Sequence, residues 1–264
     1  MFIDSHAHLF YDDYKNDIND IIQKAVDNNI EKIIIPATNL ETSHQAIELA
    51  GKFSCCYACV GFHPLDVNNY STQALQEIKK ISTHSKVVAI GEIGLDYFYD
   101  TTPREKQILT YREQIELAIF RNLPIVVHTR DSIFDAVNIV EEYCEKNPQW
   151  KPHHHGLRGV FHCFSGNAET AQKLFQLGFL VSYPGVITFK KNIELVETLQ
   201  KIGCENIMVE TDSPFLTPVP HRGKRNEPSY IPLIAEKIAE VCNISVKQVA
   251  EKTTANAKNL FGLQ

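Results

Sequence analysis

The sequence predicts an α/β fold: a single (β/α)8 TIM barrel with its active site at the C-terminal ends of the strands. Three observations carry that expectation: eight short apolar or β-branched runs, helical patterns between them, and a length of 264 residues. The runs are Phe2–Leu9, Lys32–Ala37, Tyr57–Phe62, Val87–Ile93, Pro124–His128, Gly159–Phe164, Phe179–Tyr183 and Asn206–Glu210. They lack the polar alternation of a half-exposed sheet, which suits parallel strands buried on both faces. An even division leaves roughly 33 residues per unit, enough for a strand, a helix and two loops. No break in composition marks a boundary, so residues 1–264 read as one domain.

The helices can be justified in order. Ile18, Ile21, Ile22, Ala25 and Val26 form one apolar stripe at helical spacing. Thr102-Pro103-Arg104-Glu105 reads as a capping box with proline at the first helical position. Ile108, Tyr111, Ile115 and Ala118 then supply that helix's buried face. Another helix is expected to begin near Pro228, and Ser245-Val246-Lys247-Gln248 opens a last one through about Asn259.

Composition narrows the class of function. The apolar share of 44% and the charged share of 22% exclude a disordered chain or a coiled coil. A formal charge of −6 argues against coating nucleic acid through bulk charge, yet leaves room for an enzyme that grips a few phosphates. The start, Met1 to His6, lacks a basic segment followed by an apolar core, and no apolar run approaches a membrane span. No obligate protein partner is readable. Seven scattered cysteines, an odd number, read as reduced thiols in a cytoplasmic chain, with the nucleus left open. Cys56 and Cys59 form a lone C-x-x-C pair, which reads as buried thiols and not as half a zinc site.

The chemistry gathers at the ends of the expected strands. His6 and His8 close the first, His63 follows the third, and Glu92 ends the fourth. His128 ends the fifth, His162 lies on the sixth, and Asp212 follows the eighth. Singly, each has a plainer reading as a hydrogen-bonded residue or a helix cap, and Asp66 and Asp131 are left as caps. Together they resist it. His6 and His8, two residues apart, would project from one face of a strand. Burying four histidines and two carboxylates without partners would cost several kcal/mol. Divalent cations supply the partner, and this ligand chemistry suits zinc, manganese, iron or nickel better than calcium. Six ligands exceed one catalytic zinc and fit two ions about 3.5–4 Å apart sharing one carboxylate.

Cations and aromatics flank these ends. Arg222, Lys224 and Arg225, with His221, form a basic loop after the eighth strand, and beside a metal pair it reads as anion-binding. Arg130, two residues past His128, is a second phosphate candidate, with a rim salt bridge as its plainer reading. Tyr97, Phe98 and Tyr99 either stack on a nucleobase or cap the barrel mouth. The loop Lys151–Gly156, with His153, His154 and His155, reads as solvated, since consecutive side chains diverge.

Seven segments in order then resemble the TatD family of metal-dependent deoxyribonucleases, in the amidohydrolase-like barrel superfamily. They are Asp4–Leu9, Gly61–Pro64, Gly91–Asp96, Pro124–His128, His162–Gly166, Glu210–Pro214 and Arg222–Pro228, and the resemblance covers essentially the whole chain. It implies metal ligation by His6, His8, Glu92, His128, His162 and Asp212, with Glu92 bridging the ions. It implies Asp212 as general base and His63 as a phosphate contact. It further implies two divalent ions per chain (Mg²⁺, Mn²⁺ or Zn²⁺) and DNA as substrate, single-stranded or at 3′ ends. The implied activity is 3′→5′ exonuclease cleavage of the kind used in DNA repair. The Lys151–Gly156 insertion departs from shorter family members. Two other classes stand beside this: a hydrolase of another ester or amide, such as a D-aminoacyl-tRNA or cyclic amide, and a non-catalytic metal-stabilised scaffold. Many amidohydrolases bridge their metals with a modified lysine on the fourth strand; here that strand carries Glu92 and no lysine near its end.

Overall fold

A computed structural model describes residues 1–154 and 156–264. Its centre is one sheet of eight parallel strands in sequence order. The strands are β1 (Phe2–Asp4), β2 (Ile30–Pro36), β3 (Cys56–Val60), β4 (Val87–Asp96), β5 (Ile125–Arg130), β6 (Gly159–Phe161), β7 (Phe179–Tyr183) and β8 (Ile207–Val209). Between successive strands run α1 (Ile18–Asp27), α2 (Leu40–Lys52), α3 (Thr72–Ile81), α4 (Arg104–Arg121), α5 (Ile133–Lys146), α6 (Ala168–Gln176) and α7 (Ile193–Ile202). After β8 come α8 (Ile231–Cys242) and α9 (Val246–Phe261). This is the (β/α)8 barrel. The seam between β8 and β1 is bridged at Ser5 N to Val209 O, 3.1 Å, and by the pairing of Ala7 with Ser213.

Why the sheet curls shut is visible in its interior. Ile3, Ile34, Cys59, Val88, Val126, Val160, Leu180 and Met208 form one buried cluster. Each comes from a different strand, so they meet only at the barrel axis. Leu260 and Phe261 of α9 join that cluster. Thr254 of the same helix donates to the Met1 carbonyl at 3.1 Å, which puts α9 at the N-terminal ends of the strands. The apolar plug therefore fills the barrel below, and the polar ends are left facing the opposite mouth.

Several boundaries differ from expectation, each for a local reason. β1 stops at Asp4, so His6 and His8 stand beyond it, because Ser5 to His8 leave the ladder to bond β2 and the loop after β8. β4 and β5 run further than expected, to Asp96 and Arg130, so Glu92 and His128 lie inside strands. Val26 is 49% exposed and falls off the stripe of Ile21, Ile22 and Ala25. Thr102 does not cap α4: its hydroxyl donates to Pro64 O at 3.1 Å and accepts from Gln107 Nε2 at 2.7 Å. The Ser245–Gln248 capping box does form. Asp131 precedes Ser132, the residue at the head of α5, and Asp66 lies within a short turn headed by His63, so neither acid is a cap.

The cysteines bring a correction. Cys204, two residues past α7, and Cys242, at the end of α8, are joined by a disulfide, their Cα atoms 6.8 Å apart. The packing of α7 against α8 brings together two thiols that scatter in sequence. Cys55, Cys56, Cys59, Cys144 and Cys163 are free thiols. The turn at 152–154 contacts α9, so this part of the insertion is packed and not simply solvated. His155 lies outside the described residues.

Candidate metal centre

Two local devices place the centre. At the seam, the buried Asp4 carboxylate accepts from His6 N (3.2 Å), Thr211 N (2.9 Å) and Thr211 Oγ1 (2.6 Å). It thereby ties the segment after β1 to the loop after β8. Asp212 N completes the tie on His6 O at 2.9 Å. Asp212 itself adopts a left-handed backbone, φ 55°, which aspartate tolerates better than most residues. On β4, Glu92 is preceded by Gly91, where an added Cβ would stand 2.7 Å from Val126 Cβ. The close approach of β4 to β5 there excludes a side chain.

Six groups meet around Glu92. Its Oε1 lies 2.8 Å from His128 Nδ1, 2.8 Å from His162 Nε2 and 3.5 Å from His63 Nε2. Its Oε2 lies 3.3 Å from His6 Nε2 and 3.6 Å from His8 Nε2. Asp212 Oδ1 faces the same pair, 3.5 Å from His8 Nε2 and 3.7 Å from His6 Nε2. The carboxylate thus divides the ring into two lobes, and three ligand groups fall within it: His6–His8–Asp212, His6–Glu92–His162 and His63–Glu92–His128.

The outer partners decide which ring nitrogens carry protons. His8 Nδ1 sits 3.0 Å from the Pro36 carbonyl, an acceptor only, so Nδ1–H donates and the Nε2 lone pair faces inward. His128 Nε2 sits 3.2 Å from Asp96 Oδ2, so the His128 Nδ1 lone pair faces Glu92. His162 Nδ1 stands 3.7 Å from Glu210 Oε1, and Glu210 is itself held by Cys163 N and Ser182 Oγ, both at 2.6 Å. His63 is the exception. Leu65 N donates to its Nδ1 at 3.2 Å, so its inward Nε2 carries the proton. In the neutral rings the lone pairs of His8 and His128 converge with carboxylate oxygens, an arrangement that repels itself unless a ring proton or a metal cation sits between. The donor set fits divalent ions, and His63 fits a hydrogen-bond donor better than a ligand.

Electrostatics follow the same division. Burial opposes ionisation of Glu92, yet His162, whose imidazole Glu92 and Glu210 hold well above its ordinary value, keeps the Glu92 carboxyl well below the usual range. Burial pushes His63 down to about 3, which keeps it neutral.

Above the cluster opens a cleft of about 740 Å³, walled by Tyr11 and Phe215 on one side and Tyr99 on another. Arg130 is the one Lys or Arg among the described residues that line it. Its guanidinium lies 3.8 Å over the Phe98 ring and 4.9 Å over the Tyr99 ring. Among the described residues no carboxylate pairs with it, so the salt bridge considered for it is not present. Tyr97 is turned away, its hydroxyl on Asp135 Oδ2 at 2.9 Å.

The basic loop is placed differently from expectation. Arg222, Lys224 and Arg225 do not line the cleft. Arg225 is committed to Asp17, with bonds of 3.0 and 2.6 Å, because the loop folds back onto the segment before α1. Arg222 lies 4.1 Å over the Phe189 ring, and Lys224 is exposed. The sequence reading also passed over Asp4, Asp96 and Glu210, which sit inside the quoted segments. Their signal was burial: an acid within an apolar strand end must answer to a partner. Tyr11 and Phe215 carried no such signal.

The comparisons agree with this architecture. A family model described as TatD related DNase matches residues 3–262. A Bacillus subtilis protein described as the uncharacterized metal-dependent hydrolase YabD is 40% identical over 261 residues, 99% of either chain. An Escherichia coli protein named 3′-5′ ssDNA/RNA exonuclease TatD is 31% identical over 98% of each chain. The crystal structure of an Escherichia coli TatD homolog, YJJV, superposes with a TM-score of 0.91 at 27% identity, covering 100% of this chain and 98% of that one.

Proposed function

Because the chain belongs to the TatD-related DNase family, we propose that it hydrolyses phosphodiester bonds at the 3′ ends of single-stranded DNA. The observation that carries this reading is the two-lobed ring around Glu92, with His6, His8 and Asp212 on one side and His128 and His162 on the other. These six residues are the proposed ligands of two divalent ions, Mg²⁺, Mn²⁺ or Zn²⁺, with Glu92 shared. Bound there, the ions would lower the pKa of a coordinated water to about 7 and offset charge on the phosphate.

The chain's own groups do the rest. Asp212 accepts the proton of the attacking water. His63, neutral and with Nε2–H turned inward, donates to a phosphate oxygen. Arg130, held flat by Phe98 and, among the described residues, unpaired with any acid, forks onto the phosphate backbone. Tyr11, Tyr99 and Phe215 offer ring faces to unpaired bases, a reason to favour single strands. The name of the Escherichia coli relative supports 3′→5′ polarity. We place the reaction in the cytoplasm; among the described residues no helix is long and apolar enough to cross a membrane.

Degradation of end-labelled single-stranded DNA tests the reading. It should require added metal, stop with chelator, and fall at least about 10²-fold in Glu92→Gln and in Asp212→Asn. Activity untouched by both substitutions would sink it.

A further inference from the structure

The Arg222–Pro228 segment carries three cations, yet the residue in it with the most internal bonds is Asn226, which is fully buried. Its Nδ2 donates to Thr211 O at 2.8 Å and to Phe215 O at 2.5 Å. Its own N–H donates to Pro214 O at 3.1 Å, and its Oδ1 accepts from Glu227 N at 2.9 Å. Three of these bonds fall on carbonyls of the loop Thr211–Phe215, on both sides of Asp212. That loop holds Asp212 at φ 55°. A left-handed residue with a Cβ persists where its surroundings over-determine it.

The restraint continues outward. Tyr14, fully buried, donates its hydroxyl to Asn226 O at 2.5 Å. The guanidinium of Arg225 lies 4.7 Å over the Tyr14 ring, forks onto both carboxylate oxygens of Asp17, and donates to Asp13 O. A chain of contacts thus runs from the segment before α1, through Asn226, to the loop that presents Asp212 to His6 and His8.

We propose that Arg222–Pro228 is a positioning clasp for the metal centre: Asn226 fixes the Asp212 loop, and Tyr14 and Arg225 fix Asn226. Arg225, one of the segment's three cations, therefore serves assembly of the site, not capture of the substrate's phosphates. This deepens the function proposed above and rests on its assignment of Asp212. The physical case is one of satisfaction: without the Asn226 amide, the buried Thr211 carbonyl beside Asp212 loses this donor, and so does the partly buried Phe215 carbonyl at the far end of the loop.

The test uses the full chain, with Mn²⁺ binding followed by calorimetry beside kcat and KM on end-labelled single-stranded DNA. Asn226→Ala and Asn226→Asp are each expected to bind Mn²⁺ about 10- to 100-fold more weakly and to lose kcat by a similar factor, with KM for DNA nearly unchanged. Asn226→Asp is the sharper variant. It keeps the shape but turns a carboxylate oxygen toward the two carbonyls, so wild-type Mn²⁺ affinity and kcat in it would overturn the clasp. Should both variants fail to fold, Tyr14→Phe decides. Losing one hydroxyl should weaken Mn²⁺ binding and kcat roughly 3- to 10-fold, and no change in either would overturn the proposal. Arg225→Ala separates the clasp from phosphate contact. A raised KM and shallower salt dependence, with Mn²⁺ affinity intact, would overturn it. If the wild type binds Mn²⁺ but cleaves no DNA, the functional reading fails while the Mn²⁺ arm still decides the clasp.

Discussion

Asp96 reaches back along β4 to His128 on β5, its Oδ2 3.2 Å from His128 Nε2. Strand register makes this possible. Gly94 pairs with His128 at φ 144°, where an added Cβ would run into the His128 carbonyl, so glycine lets the two strands lie close enough for the acid to reach the ring. The other oxygen, Oδ1, accepts from Phe98 N at 3.0 Å and Tyr99 N at 3.3 Å. One carboxylate therefore orients a proposed ligand and shapes the turn that carries the cleft's aromatic wall. Asp96→Asn removes the negative charge behind the ring. Mn²⁺ affinity measured by calorimetry should fall about 10- to 100-fold with the fold intact, and an unchanged affinity would refute the orienting role.

Arg130 is expected to act on substrate binding alone. In Arg130→Ala, KM for single-stranded DNA should rise by about tenfold or more, kcat should hold, and the salt slope should drop by about one. Arg130→Lys should not restore the wild-type KM, because an ammonium neither forks nor lies flat on Phe98. Equal salt slopes in wild type and Arg130→Ala would argue against a phosphate contact.

The ion pair between Arg225 and Asp17 should show in acid. The Arg225 guanidinium holds the Asp17 carboxyl below its ordinary value of 3.8. A carboxyl lowered on folding adds stability above its unfolded value and loses it as pH falls through the folded one. The gap in melting temperature between wild type and Arg225→Ala should therefore be full at neutral pH and narrow below about pH 4. A gap that stays constant into strong acid would mean that Arg225 acts through its stacking on Tyr14 alone.

The Cys204–Cys242 bond predicts a thiol count. Unfolded without reductant, the air-purified protein should titrate five free thiols, and seven after reduction. A separation of 38 residues corresponds to roughly 4 kcal/mol of chain entropy, so reductant or Cys204→Ser should lower the melting temperature by several degrees. Seven thiols without reductant would show the pair to be reduced.

How far the sequence led can be seen at particular residues. The barrel was legible because strand and helix periodicities are local, and eight apolar runs alternate with helical patterns. The His6–His8 spacing and the acids at strand ends marked the chemistry, although the strand reading that first aligned the two histidines was wrong: β1 ends at Asp4. Past the strand, Asp4 ties His6 to the Asp212 loop through His6 N and Thr211 N, while Ser213 O and Pro36 O hold His8. The disulfide was illegible for the same kind of reason, since helix packing decides which cysteines meet.

Local pattern alone was enough for the alternation of elements, the Ser245 cap and the residue types of a metal centre, because each depends on neighbours within a turn or a strand, whereas Thr102 is drawn off its helix by Pro64. Which cation faces the cleft was not local. Arg130, Arg222, Lys224 and Arg225 look equivalent along the chain, yet Arg225 finds Asp17 across 208 residues of sequence while Arg130 lies on the Phe98 and Tyr99 rings. Closing the barrel sets those pairings, since it brings the segment before α1 against the loop after β8. Among the described residues the same closure leaves Arg130 at the mouth without an acid to neutralise it, and a phosphate is the partner its planar fork would fit.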